Sequence, residues 1–196
     1  GSLTNGYLGI ATGVLPGQND YTAEMWFRRD AVSSIGTYLM HRNDLDASGG
    51  QVKGDLLGLT NSAGEIRLLA YDGSYPYISL LEGSTNILQD EWYHVAMVRQ
   101  DDEVFVYLNG QLEIEGTMAP LAGTKWVDGT WAFGGRTDRP DLNQRFAGSM
   151  DEIAIYGRAL SHEEIRAHYL VGVPEPSTGL LLALACLSLV VRRRCK

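Results

Sequence analysis

Asn109 and Gly110 sit between two strand-forming stretches in VFVYLNGQLEIEG, and this dipeptide restricts the fold more than any other feature of the chain. A two-residue turn of type I′ needs positive φ at both central positions, which asparagine and glycine adopt at little cost. The arms are therefore predicted to pair as an antiparallel hairpin. YTAEMWFRR alternates so that Tyr21, Ala23, Met25 and Phe27 share one face while Thr22, Glu24, Trp26 and Arg28 share the other, the pattern of a strand with one buried side. WYHVAMVRQ is apolar on both faces and is expected inside a sandwich. Turn signals at Asn61 to Gly64, Asp72-Gly73, Asp128-Gly129 and Gly134-Gly135 have the spacing of an all-β sandwich rather than of alternating strands and helices. One helix is predicted. Ser161 and Glu164 form a capping box, and Ile165, His168 and Tyr169 fall on one face of the turns that follow.

Charge divides the chain in two. Through Val173 there are 12 lysines and arginines against 23 acids, a balance of −11, whereas residues 174–196 carry one acid and four bases. So acidic a body repels phosphate backbones, and no basic stripe offsets it, so nucleic acid is excluded as a partner. Both cysteines, Cys186 and Cys195, lie in the terminal segment, so the body is expected to stand without a disulfide.

That terminal segment reads VPEPSTGLLLALACLSLVVRRRCK. From Gly179 to Val191 there are 13 residues without a charge, about 20 Å of helix. The hydrocarbon core of a bilayer is about 30 Å thick, so the run is short for a span. Pro174 and Pro176 bar regular helix and ladder pairing, leaving an extended, enzyme-accessible strip. Arg192, Arg193 and Arg194 hold the C-terminus on the cytoplasmic side and leave the body outside. Strip, greasy run and basic stop together resemble the PEP-CTERM sorting signal of Gram-negative bacteria. The resemblance implies an exosortase-type processing enzyme as partner, with insertion into the inner membrane through 179–191. Delivery to the cell surface or exopolysaccharide matrix would follow. The other reading of the same residues is a simple tail anchor. Gly1 to Gly17 contain neither a basic start nor a hydrophobic run, so an export signal is expected upstream of Gly1.

The body resembles the laminin-G-like, concanavalin A-like jelly-roll family. The resemblance is carried by YTAEMWFRR, by EWYHVAMVRQDDEVFVYLNGQ and by FAGSMDEIAIYGRALSHEEIRAHY, and covers Tyr7 to Tyr169. It implies two antiparallel sheets of six or seven strands packed face to face. Three segments are expected: the domain at 1–171, a linker with the PEP strip at 172–178, and the hydrophobic helix with its basic tail at 179–196. The fold hosts lectins, adhesion modules and glycosidases alike, so function must be argued from side chains.

Retaining glycosidases need two carboxylates about 5–5.5 Å apart. Glu113 and Glu115 are expected on one strand face, but Met118 stands where the laminarinase-like pattern needs its last acid, and a solvated face is the plainer reading. Asp151 and Glu152 are adjacent and are expected to point to opposite faces. His41, His94, His162 and His168 have no nucleophile in a recognisable elbow. His94 is expected to be a packed, hydrogen-bonded strand residue. Catalytic residues are therefore assigned to none. Calcium is the one cofactor expected, in either of two places. Asp44, Asp46, Ser48 and Asp55 approach the oxygen spacing of a calcium loop, and the resemblance implies a structural calcium at Asp151. For sugars, Tyr75, Tyr77 and Trp126 lie in Gly- or Pro-punctuated stretches and are the candidate exposed rings, whereas Trp26 and Trp92 are assigned to the core.

The favoured reading is an exported surface or matrix protein without catalysis that binds carbohydrate, exopolysaccharide or a surface protein. A structural matrix component without a dedicated ligand and a glycoside hydrolase of the same fold are the alternatives.

Overall fold

The computed structural model describes residues 2–3, 8–10, 20–31, 33, 35–45, 51–60, 64–71, 79–117, 130–136 and 144–172. Among these, twelve strands and one helix form a two-sheet sandwich. In chain order the strands are β1 (Ser2–Leu3), β2 (Leu8–Ile10), β3 (Tyr21–Arg29), β4 (Thr37–Leu45), β5 (Gln51–Leu59), β6 (Glu65–Tyr71), β7 (Ser79–Asn86), β8 (Trp92–Gln100), β9 (Glu103–Leu108), β10 (Gln111–Thr117), β11 (Thr130–Phe133) and β12 (Gly148–Tyr156). The helix is α1 (His162–Gly172). One sheet runs β1-β12-β3-β8-β9-β10 and the other β2-β11-β4-β5-β6-β7. Every strand pair is antiparallel, and neighbours such as β12-β3 and β11-β4 are distant in sequence, so the chain crosses repeatedly between sheets in jelly-roll fashion.

The predicted hairpin is present. Asn109 has φ 50° and Gly110 φ 72°, and β9 pairs with β10 across them. The asparagine also ties the turn down, because its side-chain oxygen accepts the His94 N–H at 2.9 Å. β8 lies between β3 and β9, and its residues Tyr93 to Arg99 are buried, as the two-sided apolar pattern requires.

The inner faces meet in one core that includes Met25, Phe27, Leu39, Leu57, Leu68, Val95, Met97, Val106, Trp131 and Phe133. Each large side chain taken fully out of water contributes about 1.5–3 kcal/mol. At one end the core is ionic. Asp55 on β5 accepts the Tyr21 hydroxyl at 2.6 Å and Arg99 Nη1 at 3.2 Å, both at Oδ2 and both from the opposite sheet. Arg42 lies over the Tyr21 ring at 4.4 Å and the Trp131 ring at 5.3 Å. Burial, then the Asp55 charge, pushes the Tyr21 hydroxyl far above its ordinary range. This cluster bolts the sheets together.

The alternation in β3 predicts one buried face, yet Thr22, Glu24 and Trp26 on the second face are 0%, 5% and 7% exposed. The reason is the end of the domain: the backbone of Arg158 and Leu160 bonds to the Thr22 hydroxyl, and α1 lies across Glu24 and Trp26. Ser161 and Glu164 cap it reciprocally: the Glu164 N–H donates to Ser161 Oγ at 3.3 Å and the Ser161 N–H to Glu164 Oε2 at 2.9 Å. Arg158 pairs with the same carboxylate, and that ion pair with the cap lowers the Glu164 pKa to about 2. Ile165 is buried, His168 reaches Glu24, and Tyr169 stacks on Trp26 at 5.7 Å, so the predicted helix face is the one that docks.

Candidate functional site

Beneath α1, Glu24 is the hub. His168 Nδ1 lies 2.9 Å from its Oε1, the Tyr156 hydroxyl donates to Oε1 at 2.9 Å, and His94 Nε2 lies 3.5 Å from Oε2. Burial pushes the Glu24 carboxyl up, but hydrogen bonds from His94, His168 and Tyr156 outweigh it and hold the group below its ordinary value. Tyr156, half-buried beside this charge, is pushed up to about 12 by burial and by the hydrogen bond to Glu24. The four groups close on one another, so the hub fixes the helix.

A different arrangement is found at the far end of α1. β12 pairs with β3 in regular register up to Asp151↔Trp26, then shifts before Ala154↔Glu24. Glu152 sits in that bulge with φ 49°, a left-handed conformation that costs a non-glycine residue about 1–3 kcal/mol. The bulge removes the strict alternation of a strand. Asp151 and Glu152, expected on opposite faces, line one pocket with Trp26, Trp92 and Gly172. Its volume is about 290 Å³, near the lower end for small-molecule sites.

Trp92 opens β8 opposite Arg28 and is 37% exposed, which corrects its assignment to the core. The position explains this: the first residue of the strand projects past the edge of the packed region. Arg28 Cζ lies 5.6 Å from the Trp92 ring centroid and its Nη2 3.2 Å from Asp30 Oδ1. Trp26 is buried as expected, though under α1 rather than between the sheets. Its indole N–H makes no hydrogen bond within the described residues and lies at the Gly172 wall, where a Cβ would come within 2.5 Å of Nε1. Asp151 accepts the Glu152 N–H at 3.0 Å, and neither carboxylate has a cationic partner among the described residues. Two indoles, each with an N–H donor, and two acidic side chains without a cationic partner among the described residues therefore line one cavity.

The structure distributes the other sequence candidates elsewhere. Asp55, expected at the end of a calcium loop, is buried on β5 and held by Tyr21 and Arg99. Asp44 lies on β4 opposite Lys53, so the stretch forms the arms of a β4–β5 hairpin. Calcium takes about six to eight oxygens, from carboxylates, carbonyls and water, and Asp151 lies in the lining of a pocket. That pocket holds one other acid, Glu152, and no group of three His, Cys, Asp or Glu gathers among the described residues. Glu113 and Glu115 do not share a face. A bulge between Leu112 and Ile114 turns Glu113 toward β7, where Oε1 accepts the Ser84 and Thr85 N–H groups at 2.6 and 2.7 Å, while Glu115 remains exposed. Asp46, Ser48, Tyr75, Tyr77, Trp126, Pro174, Glu175, Pro176, Arg192, Arg193 and Arg194 lie outside the described residues. No helix among the described residues is long and apolar enough to cross a membrane. The run at 179–191 is not among those residues.

Two six-stranded antiparallel sheets, a closing helix and a pocket on the helix side define a concanavalin A-like jelly roll. A family description matches at this level: the chain belongs to the concanavalin A-like lectin/glucanases superfamily, with residues 2–166 matched. Residues 172–194 match the PEP-CTERM protein-sorting motif. No curated protein matches the chain. Among solved structures, a heptameric SAP-like pentraxin from Limulus polyphemus superposes with a TM-score of 0.62 at 17% identity, over 82% of this chain and 73% of that one. The CBM40 of the Ruminococcus gnavus IT-sialidase, solved with α2,3-sialyllactose, gives 0.60 at 16% identity over 86% and 100%. The NanB sialidase of Streptococcus pneumoniae gives 0.66 at 18% identity, over 85% of this chain but 26% of that one. At such identities the likeness is one of fold.

Proposed function

We propose that this chain is a non-catalytic glycan-binding module, exported from a Gram-negative cell. On this reading it is held in the inner membrane by residues 179–191 until an exosortase-type enzyme processes it near Pro174-Glu175-Pro176 and it reaches the cell surface or matrix. The observation that carries the binding part is the pocket itself. An exposed indole can stack on the apolar face of a pyranose, the Trp26 N–H can donate to a ring hydroxyl, and Asp151 and Glu152 can accept from two more. The sorting motif and the carbohydrate-binding neighbours support it. Structural proteins of a matrix need no such opening.

A glycan array probed with the full chain in neutral detergent, beside Trp92→Ala, tests the reading. Retained hits that vanish in the variant are expected. Hits unchanged by Trp92→Ala would move the site elsewhere, and no hits with either protein would leave a scaffold component. Sorting is tested separately, from the mass of the protein recovered from a host with its exosortase. Loss of the residues beyond the proline strip is expected, and an intact C-terminus would mean a tail anchor.

A further inference from the structure

The charge of the pocket narrows its ligand. Asp151 and Glu152 both line a cavity of about 290 Å³, neither has a cationic partner among the described residues, and Arg28, which lies over the Trp92 ring, is paired with Asp30. The surroundings reinforce this, with 23 acids against 12 bases through Val173. An acidic sugar brought here would face like charge at the site and across the whole body. A hexosamine with a free ammonium group meets the opposite situation. Its ammonium is a compact donor suited to carboxylates, and it is attracted to the face of an indole. The Trp26 N–H, on a side chain 7% exposed, offers a donor to the ring hydroxyls. The bulge at Glu152 brings both acidic residues into the lining of the same pocket.

We infer that the pocket takes a cationic amino sugar, a hexosamine unit with a free ammonium group, in preference to neutral or acidic sugars. The inference rests on the glycan-binding reading and deepens it.

Three oligosaccharides of equal length serve as probes: glucosamine, N-acetylglucosamine and galacturonate oligomers. Each is titrated by tryptophan fluorescence at about pH 5.5, where an amine is protonated. Two exposed carboxylates should favour the glucosamine oligomer over its acetylated form by about tenfold at low salt, and the preference should fade in high salt. The double substitution Asp151→Asn, Glu152→Gln should abolish the preference while keeping the acetylated probe bound. Trp92→Ala should weaken both. A polycation held loosely by the acidic body would instead survive all three substitutions, which would overturn the inference. Binding of the acetylated probe with no preference for the amine, or tighter binding of galacturonate, would keep the glycan site and overturn the amino-sugar assignment. If none of the three probes binds, the glycan reading itself fails and takes this inference with it.

Discussion

Two pairs of acidic side chains in this molecule lead opposite lives. Asp55 and Glu24 are buried and answered on several sides, the first by Tyr21 and Arg99, the second by His94, His168 and Tyr156. Asp151 and Glu152 are exposed, without a cationic partner among the described residues, and carried on a bulge with positive φ. Buried charge must be compensated where it stands, so the first pair reports on how the sandwich is held together. Uncompensated charge at a strained backbone beside an exposed aromatic is tolerated for another reason, and binding is the one the pocket suggests.

Removing the members one at a time should separate the two roles. The largest effect is expected at Asp55→Ala, which removes the buried carboxylate that the Tyr21 hydroxyl and Arg99 bond to. Urea unfolding should show a loss of about 3–5 kcal/mol, and an unchanged midpoint would mean that the cluster is not a bolt. Glu24→Gln comes next, at about 1.5–3 kcal/mol, for charged hydrogen bonds lost. Because the folded state holds Glu24 below its ordinary value, its contribution is present above about pH 4.5 and is lost as pH falls below that. The acid limb of stability against pH should therefore be shallower in the variant. Parallel curves would show that the hub is not titrating.

Ser161→Ala should cost about 1 kcal/mol by removing the cap of α1. The smallest change in stability, within about 0.5 kcal/mol, is expected at Trp92→Ala, a surface ring. A thermal midpoint several degrees lower would return Trp92 to the core and break the contrast.

Much of the sandwich could be read from local pattern. The hairpin at Asn109-Gly110, the internal strand at Tyr93 to Arg99 and the capping box at Ser161 each depend on neighbours a few residues away. Period 2 also gave the faces of β3 correctly. It could not show that the outer face would be covered, because the cover comes from α1 and the residues just before it, more than 130 residues later. The signal was present in the helix, whose Ile165, His168 and Tyr169 face needed a partner. The pocket was harder. Strict alternation separates Asp151 from Glu152, and only a bulge reunites them. The same failure operated at Glu113 and Glu115, where alternation joined residues that a bulge separates. The exposure of Trp92 is not legible in the sequence, because composition marks a strand as apolar without saying where its end leaves the packed region. The spacing of Asp55 from Asp44 fits a calcium loop and the two arms of a hairpin alike, so spacing could not separate them.

The central claim is that the pocket under the end of α1 is where a glycan sits, and the four indole N–H resonances of ¹⁵N-labelled protein report on it directly. They belong to Trp26, Trp92, Trp126 and Trp131. Titration with the strongest array hit should move the Trp26 and Trp92 signals and leave Trp131, buried between the sheets, in place. A shift confined to Trp126, with Trp26 and Trp92 unmoved at saturation, would contradict the account and put the site at Trp126.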